Sequence, residues 1–488
     1  MRCRHCGQDA AASPNDLVLG VEIVPGLASL PCGTDHQRRH RIATPFADSL
    51  QMTTPSNSDR KFRKVAILFA GGPAPAANAV ISTCAAAFVR SGIGVLGIKY
   101  GYSSLAEYSP ERPLVMGRDY IDIDLSVLRR TRNSQGILIG TARTNPGKDV
   151  SSPSHLDDPE RSAPLRRVYD GLCSLGVDAL ISNGGDDTLK TANKFQLYQD
   201  RLPADAHRIP VVHLPKTIDN DYSGIDFTFG YFTAVETLGV EVRNLLYDAE
   251  ANRAYFLAET MGRSAGWLAY GAAIAGEASL VLSVEDIIGE LRDEETSPDP
   301  KTGKTTTKPV MNMERVVARI VDMMVARERE NKKFGVIVMA EGMAEFLPAK
   351  YLEGVKRDEH NHIAISQVNL GQRFAQLVTD AYKARTGQRR KVTGVQLGYE
   401  SRCAKPQAFD VMLGSQLGVG AYRALVEKRF SGVMVSISGQ LDLRYVPFSQ
   451  LIDPQTLVTV VRYIDPNSDF RKLARFLETY STGEMGIV

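Results

Sequence analysis

Short apolar runs alternate with amphipathic segments along the chain from residue 64 onward. The apolar runs have strand length and stand at 65–69, 95–98, 177–182, 209–214, 254–258, 279–284 and 335–339. Segments with helical spacing separate them at 75–91, 165–175, 188–199 and 313–330. Strands that alternate with helices indicate βαβ units and parallel sheets. The pattern therefore predicts an α/β fold, with one doubly wound, mainly parallel sheet followed by a second α/β unit.

Two segments interrupt this alternation. Residues 1–60 mix Pro, Ser, Thr, Asp and Arg without sustained periodicity, and we predict a flexible N-terminal extension there. Residues 291–309 are polar and rich in Pro, Thr and Lys, which is typical of a surface loop.

Composition narrows the choice of partners and location. At 488 residues the chain is too long for one small core, which favours two lobes. A net charge of +2 gives no reason to expect a nucleic acid partner. No segment approaches the ~20 uninterrupted apolar residues of a membrane span, so no membrane partner is expected. Six cysteines without a framework pattern favour reduced thiols and a cytoplasmic location.

An acidic turn, Gly184-Gly185-Asp186-Asp187-Thr188, directly follows the predicted strand at 177–182. In open α/β sheets, ligands bind where such strands end. One of the two aspartates can serve as a helix N-cap. Two adjacent carboxylates beside a glycine pair are explained better by Mg²⁺, which takes carboxylate oxygens together with substrate phosphate. We therefore predict Asp186 as the metal ligand.

A second polar loop, Pro215-Lys216-Thr217-Ile218-Asp219-Asn220-Asp221, follows the predicted strand at 209–214. Its carboxylates alternate, so Asp219 and Asp221 can face one site while Ile218 and Asn220 anchor the backbone. One carboxylate can accept the proton of an attacking hydroxyl, and the other can hold that base in place. The ammonium of Lys216 can stabilise charge on a phosphoryl group in transfer.

Gly71 and Gly72 follow the first predicted strand and precede a helix. Glycines at this position let backbone N–H groups approach an anion, and the helix N-terminus adds favourable partial charge. A purely conformational role for these glycines is equally compatible with the local sequence.

Six motifs in a fixed order resemble those of the phosphofructokinase family, from about residue 64 to at least 430. They are Ala70-Gly71-Gly72-Pro73-Ala74-Pro75, Gly184 to Thr188, Pro215 to Asp221, Met261-Gly262-Arg263, Ala340-Glu341-Gly342 and Gly398-Tyr399-Glu400-Ser401-Arg402. The resemblance implies two Rossmann-like lobes, with fructose 6-phosphate and a phosphoryl donor bound in the cleft between them. It also implies the lobe limits: a donor-binding lobe at 61–230 plus 402–465 and a sugar-phosphate-binding lobe at 231–401 plus 466–488.

The resemblance also implies roles for single residues. Asp219 resembles the base that deprotonates the sugar 1-hydroxyl, with Lys216, Asp187 and Asp221 as the other catalytic residues. Residues that resemble the family's substrate-binding groups are Thr217, Ile218, Met261, Gly262, Arg263, Glu341, Tyr399, Glu400, Ser401, Arg402 and Arg253. Residues expected at the diphosphate are Gly71, Gly72 and Arg143, the last within Gly140-Thr141-Ala142-Arg143.

Tyr399 and Arg402 resemble groups at the sugar 6-phosphate, where a planar guanidinium can pair two oxygens. Arg253 is the best match, with Arg243 as a competitor, for the arginine that family members extend across a subunit interface. The resemblance therefore implies a homo-oligomer, a dimer or a tetramer.

Donor choice depends on Asp187, because ATP-using relatives generally have glycine at this place. A carboxylate ~4 Å from a nucleotide α-phosphate oxygen would cost about 4 kcal/mol at an effective dielectric near 20. Pyrophosphate has no α-phosphate and avoids this conflict. Together with Lys216, Asp187 resembles the pyrophosphate-dependent branch, which implies a reversible, Mg²⁺-dependent reaction in glycolysis and gluconeogenesis.

Three alternatives remain beside this interpretation. The same chemistry with ATP would require the loop around Asp187 to move aside. A non-catalytic regulatory paralogue is disfavoured because the base, the lysine and the metal carboxylate are all present. A kinase of NAD or lipid would share only the Gly-Gly-Asp turn and leaves the Met261-Gly262-Arg263 and 399–402 motifs without an explanation.

Overall fold

The computed structural model describes residues 62–298, 305–355 and 365–479. The predicted N-terminal extension at 1–60 lies outside the described residues. The strands described are, in chain order, β1 (Lys64–Ala70), β2 (Gly94–Ile98), β3 (Tyr120–Asp122), β4 (Ala179–Gly184), β5 (Val211–Pro215), β6 (Tyr255–Thr260), β7 (Leu280–Leu282), β8 (Arg292–Pro298), β9 (Thr305–Met311), β10 (Gly335–Ala340), β11 (Val392–Leu397), β12 (Val433–Ser438) and β13 (Asp442–Pro447).

The α-helices described are α1 (Ala77–Arg90), α2 (Ser103–Ala106), α3 (Pro159–Ser174), α4 (Asp186–Gln199), α5 (Tyr231–Asn252), α6 (Trp267–Gly276), α7 (Met313–Arg329), α8 (Leu370–Thr386), α9 (Tyr399–Arg402), α10 (Ala408–Tyr422) and α11 (Asp469–Leu477). In the part of the chain that the structure describes, no helix is long and apolar enough to cross a membrane.

The larger sheet has the strand order β13-β12-β5-β4-β1-β2-β3. Its five central strands run parallel, and the two edge strands run antiparallel to their neighbours. β1 and β4 are buried along nearly their whole length, as expected where both faces of a parallel sheet are covered. The predicted parallel α/β fold is confirmed.

The second sheet has the order β11-β6-β10-β7, and all of its pairs are parallel. A separate antiparallel pair, β8 and β9, occupies most of the stretch at 291–309. The prediction of a surface loop there is wrong. Threonines on the two strands face each other, with Thr296 Oγ1 and Thr307 Oγ1 3.0 Å apart. Because threonine is β-branched and fits a pleated surface, a polar segment of this kind can form an exposed hairpin.

The predicted strand positions agree with the structure to within two residues at each end. The helix predicted at 165–175 begins earlier, as α3 at Pro159. Its start has the expected chemistry: the Asp158 side chain accepts hydrogen bonds from the N–H groups of Glu160 and Arg161, and Pro159 occupies the first turn. The lobe limits stay a prediction.

The sheet topology brings the six motifs to two sets of neighbouring strand ends. In the larger sheet, adjacent β1, β4 and β5 end directly before the glycine pair, the acidic turn and Lys216. In the second sheet, adjacent β6, β10 and β11 end directly before Met261, Glu341 and Gly398.

Candidate active site

Gly71 forms the floor of the site on the larger sheet. Its φ is +91°, its N–H donates to Ala142 O at 2.9 Å, and its carbonyl accepts from Thr141 Oγ1 at 2.7 Å. A Cβ at this position would lie 3.3 Å from Lys216 Nζ. The position therefore requires glycine both for the left-handed backbone and for the close approach of the lysine.

Lys216 is buried, with 6% of its surface exposed, and its ammonium lies between two glycine turns. A Cβ on Gly185 would lie 3.5 Å from the same Nζ atom. Burial lowers the pKa of Lys216 to about 8, and the nearby Asp219 carboxylate opposes this shift, while Arg402 and Arg143 reinforce it. Three cations therefore act on one small region, which suits an anionic ligand.

Asp219 and Asp221 follow Lys216 in a loop whose two ends are joined by a hydrogen bond from Thr228 to Thr217. Burial raises the pKa of Asp219, and Lys216 and Arg402 oppose that shift. Asp219 Oδ1 is buried without a hydrogen-bond partner among the described residues. Burial also raises the pKa of Asp221 to about 7, with further contributions from the negative charges of Asp219 and Asp186. An unpaired, buried carboxylate oxygen is suited to accept a proton from a bound hydroxyl group.

The two residues between these acids anchor the backbone. Ile218 is buried in the core of the larger sheet, and Asn220 is fully buried with a φ of 55°. Asn220 Oδ1 accepts a hydrogen bond from Thr228 N at 3.0 Å, and Thr228 Oγ1 donates to Thr217 O at 2.8 Å. Thr217 Oγ1 accepts from the backbone N–H of Asp219 at 3.0 Å.

The acidic turn begins α4, and its helix N-cap is Gly185, so neither aspartate serves as the N-cap. Lys190 pairs with both acids: its Nζ lies 2.9 Å from Asp186 Oδ2 and 2.8 Å from Asp187 Oδ1. The side chain of Asp187 is 76% exposed and that of Asp186 is 49% exposed. The turn is therefore less negative than its sequence alone indicates.

Asp186 and Asp221 line one cavity of about 50 Å³, together with Thr459 and Tyr222. Thr459 Oγ1 donates to Asp186 Oδ1. Among the described residues no group of three or more His, Cys, Asp or Glu side chains could hold a metal ion. Mg²⁺ commonly takes only one or two carboxylates and completes its shell with phosphate and water. Asp221, whose pKa is raised to about 7 by burial and by the charges of Asp219 and Asp186, would fit such an ion together with Asp186.

The second sheet contributes Gly262 and Glu341. Gly262 has a φ of 119°, and its N–H donates to Glu341 Oε1 at 3.3 Å. Burial raises the pKa of Glu341 to about 7, and the charge of Asp219 is the next cause. Arg263, the neighbour of Gly262, pairs with Glu345 at 2.9 Å, and Met261 is buried beside them. The charge of Asp219 thus acts on Glu341, although the two residues follow strands of different sheets.

The 399–402 motif forms the short helix α9 and connects both sides of the site. Ser401 is buried and its Oγ donates to Gly398 O at 2.6 Å, while Glu400 Oε1 accepts from Gly398 N at 2.8 Å. The Arg402 guanidinium lies over the Tyr399 ring, 4.8 Å from its centre. A Cβ on Gly72 would lie 3.7 Å from Arg402 Cζ, so this arginine reaches the donor glycines.

Arg143 and Arg253, both predicted as site residues, lie in different places relative to the site. Arg143 is exposed, and its positive charge contributes to the lowered pKa of Lys216. Arg253 is exposed and precedes β6, whereas Met261 follows the other end of that strand. At about 3.3 Å per strand residue, the two are roughly 20 Å apart. The chain therefore does not bring Arg253 to its own site, and Arg243 is tied to Ala275 O of α6 at 2.9 Å.

Three residues at the site were not predicted. Lys190 stands three and four residues after the two acids, a helical spacing that gives a usable signal for ion pairing. Thr459 and Arg462 come from a segment about 240 residues after the loop that carries Asp219 and Asp221, and no motif marks them.

These residues lie at the strand ends of two parallel sheets. They form a site of the phosphoryl-transfer class. The family model for phosphofructokinase matches residues 64–425. The chain therefore belongs to the phosphofructokinase family, and its resemblance to that family is confirmed.

Curated relatives carry names from both donor branches. The chain is 31% identical over 423 residues to the pyrophosphate–fructose 6-phosphate 1-phosphotransferase of Naegleria fowleri, covering 84% of this chain and 86% of the relative. It is 30% identical over 408 residues to an ATP-dependent 6-phosphofructokinase of Corynebacterium efficiens, covering 83% and 99%. Identity alone therefore separates the two branches poorly.

Solved structures support the fold. A pyrophosphate-dependent phosphofructokinase from Nitrosospira multiformis matches with a TM-score of 0.58 and 17% identity, covering 88% of this chain and 95% of that one. Phosphofructokinase from Saccharomyces cerevisiae matches with a TM-score of 0.57 and 22% identity. That match covers 80% of this chain but only 45% of the yeast chain, so this chain spans less than half of its length.

Proposed function

We propose that this protein catalyses the reversible transfer of a phosphoryl group from pyrophosphate to the 1-hydroxyl of fructose 6-phosphate. The products would be fructose 1,6-bisphosphate and phosphate. One observation carries the proposal: the Asp219 carboxylate has an unpaired buried oxygen and is electrostatically coupled to Lys216 and Arg402 beside the donor glycines. This combination offers one base and several fixed positive charges to a single reaction centre.

In this function Asp219 accepts the proton of the attacking hydroxyl. Lys216 and Arg402 stabilise the charge on the phosphoryl oxygens as the bond to the leaving phosphate lengthens. Arg143 acts on the same anion from the exposed side. The backbone of Gly71 and Gly72 lets the diphosphate approach closely, because a side chain at Gly71 would crowd the Lys216 ammonium.

The sugar phosphate would bind along the second sheet. Glu341 accepts hydrogen bonds from sugar hydroxyls, and the Met261-Gly262-Arg263 turn and Thr217 contact the sugar near the reacting hydroxyl. Tyr399 would bind the sugar 6-phosphate. The resemblance assigns Arg402 to the same phosphate, but its guanidinium lies beside Gly72 on the donor side, so in this proposal Arg402 acts on the diphosphate.

Asp186 and Asp221 would hold Mg²⁺, which neutralises charge on the phosphate oxygens when it is bound. Their shared cavity, and the effect of Asp186 on the pKa of Asp221, support this choice of ligands.

Pyrophosphate is preferred to ATP because of Asp187. This carboxylate stands in the first turn of α4, next to the donor glycines, where a smaller residue would leave room for a nucleotide α-phosphate. The name of the Naegleria fowleri relative supports the same donor. ATP is the second candidate, favoured by the name of the Corynebacterium efficiens relative.

We further propose a cytoplasmic homodimer or homotetramer. The described cysteines Cys84, Cys173 and Cys403 are all free thiols, which fits a reducing compartment. Arg253 is exposed and lies far from its own site, which supports a role for it at the site of a neighbouring subunit. Light scattering during gel filtration tests the oligomer, and a monomer at micromolar concentration would contradict it.

The activity is tested with purified full-length protein, MgCl₂ and fructose 6-phosphate, with pyrophosphate or ATP as donor. Formation of fructose 1,6-bisphosphate is followed by ³¹P NMR. We expect turnover with pyrophosphate and a kcat/KM for ATP at least a hundredfold lower. Turnover with ATP and none with pyrophosphate would overturn the donor assignment, and turnover with neither would overturn the function.

A further inference from the structure

A late segment of the chain crosses the active site. We call residues 459–464 the crossing segment and residues 217–228, which carry Asp219 and Asp221, the base loop. The crossing segment pairs with the base loop through an antiparallel bridge between Val461 and Tyr222. Its Thr459 reaches Asp186 on the donor side. One short segment therefore contacts both the acidic turn and the base loop.

Arg462 makes most of the contacts between the crossing segment and the base loop. Its Nη1 donates to Ile225 O at 2.7 Å and to Asp226 O at 2.8 Å, and its Nη2 donates to Asn220 O at 2.7 Å. Its own backbone N–H donates to Asp221 O at 2.9 Å. One residue thus binds four carbonyl groups of one loop.

Contacts from outside the base loop hold its backbone near Asn220. Asn220, between the two acids, has a φ of 55°, in the left-handed region that asparagine adopts more readily than most other non-glycine residues. The Asn220 carbonyl accepts from Arg462, and its side chain accepts from Thr228. The Arg462 contact fixes the peptide unit between Asn220 and Asp221, and the Thr228 contact fixes the Asn220 side chain. Together they hold the backbone from which Asp219 and Asp221 project.

Arg462 is itself held from the second sheet. Its guanidinium lies over the Trp267 ring at 4.6 Å, and its carbonyl accepts from Trp267 Nε1 at 2.9 Å. Two residues later, Ile464 N donates to Glu285 Oε1 at 3.1 Å. Glu285 also accepts from Gly266 N at 3.1 Å, just after the Met261-Gly262-Arg263 turn. The crossing segment thus ties the base loop to the sugar side of the site.

We propose that Arg462 is a positioning residue, which sets the orientation of Asp219 toward the sugar 1-hydroxyl by holding the carbonyl groups of Asn220, Ile225 and Asp226. Arg462 acts through the loop and touches none of the reacting atoms. A planar guanidinium suits this task, because its donors point in fixed directions to several acceptors at once, whereas a lysine offers one flexible ammonium. The expected fall in kcat rests on the proposed function. The role of Arg462 in holding the base loop does not depend on it.

The test uses Arg462→Lys and Arg462→Ala in the full-length protein, with Arg471→Lys as a matched control. Arg471 also fixes the C-terminal part of the chain, through Asp286 at 3.1 Å, but contacts neither the base loop nor a predicted substrate group. We expect kcat to fall about a hundredfold for the alanine variant, the cost of a roughly 1 Å misplacement, and about tenfold for the lysine variant. KM for fructose 6-phosphate should stay within threefold, because Glu341 and the Met261-Gly262-Arg263 turn lie outside the base loop.

Chemical rescue and hydrogen exchange separate positioning from mere stability. Added guanidinium at non-denaturing concentration should raise the kcat of Arg462→Ala at least fivefold. It should leave the kcat of Arg471→Lys unchanged. Backbone amides at 219–226 should exchange at least tenfold faster in Arg462→Lys, while those of α11 exchange as in the parent. If the alanine variant does not fold, the lysine variant decides the question.

The inference is overturned if kcat stays within threefold of the parent in the Arg462 variants, or if Arg471→Lys lowers kcat equally. Unchanged exchange at 219–226 would overturn it as well. If the parent protein shows no turnover with either donor, the proposed function has failed. The exchange measurement still decides whether Arg462 holds the base loop, so the two failures can be distinguished.

Discussion

Replacing Asp187 should change the choice of donor, and the structure determines how much of the change comes from charge. Asp186 and Asp187 both lie in the acidic turn. By the resemblance, Asp187 occupies the place where ATP-using relatives generally have glycine. Asp187→Asn removes the charge at nearly constant volume, and Asp187→Gly removes both. Comparison of the two variants separates electrostatic repulsion from steric exclusion of the α-phosphate.

The electrostatic part should be small. At ~4 Å, two like charges cost about 4 kcal/mol at an effective dielectric near 20 but about 1 kcal/mol in water. The Asp187 side chain is 76% exposed and pairs with Lys190 at 2.8 Å, so the lower figure applies. About 1 kcal/mol corresponds to roughly fivefold in rate. The structure therefore reduces the cost predicted from sequence and leaves steric exclusion as the main effect.

The assay measures kcat/KM for ATP and for pyrophosphate at saturating fructose 6-phosphate and MgCl₂. We expect the ATP-to-pyrophosphate ratio to rise no more than about fivefold for Asp187→Asn and by more than tenfold for Asp187→Gly. Asp200→Asn, at the opposite end of α4, is the control and should leave the ratio unchanged. An equal rise in the asparagine and glycine variants would refute steric exclusion, and no rise in either would refute the role of Asp187.

Four further predictions concern the reaction centre. Asp219→Asn should lower kcat at least a thousandfold with little change in substrate affinity measured by calorimetry, because only the base is lost; a loss below tenfold would show that another group accepts the proton. Mg²⁺ should bind more weakly below pH about 7, where Asp221 of the metal-free protein takes up a proton; calorimetric titration with MgCl₂ checks this, and unchanged affinity between pH 8 and pH 6 would contradict it. The kcat/KM should fall above pH about 8, where Lys216 loses its charge; Lys216→Arg should remove this alkaline limb, and a persistent limb would contradict the assignment. Glu341→Gln should raise KM for fructose 6-phosphate about tenfold and leave KM for pyrophosphate within twofold, because Glu341 lies on the sugar side beside Gly262; equal effects on both would contradict that placement.

Most of the fold and the location of the site could be predicted from sequence because both depend on local signals. Buried parallel strands give apolar runs, and the polar loops that follow β4 and β5 stand next to them in the chain. The motifs then come together in two sets of three, because the strands they follow are neighbours within each sheet. The hairpin at β8 and β9 escaped prediction because an exposed polar strand has no apolar run to mark it.

The contacts that hold the site together could not be predicted in the same way. Arg462 binds carbonyl groups more than 230 residues away in sequence, and backbone acceptors leave no residue pattern to read. The close approach of Arg402 to Gly72 depends on how the two sheets approach each other. Lys190 is the exception, because its helical spacing from Asp186 and Asp187 was open to inspection.

The reverse reaction tests the central claim most directly, because only a pyrophosphate-dependent enzyme can use inorganic phosphate as the acceptor. Purified protein is incubated with fructose 1,6-bisphosphate, ³²P-labelled phosphate and MgCl₂ without any nucleotide. We predict labelled pyrophosphate and fructose 6-phosphate in equal amounts, and loss of both products in Asp219→Asn. Consumption of fructose 1,6-bisphosphate only when ADP is supplied, with ATP as the product, would contradict the account.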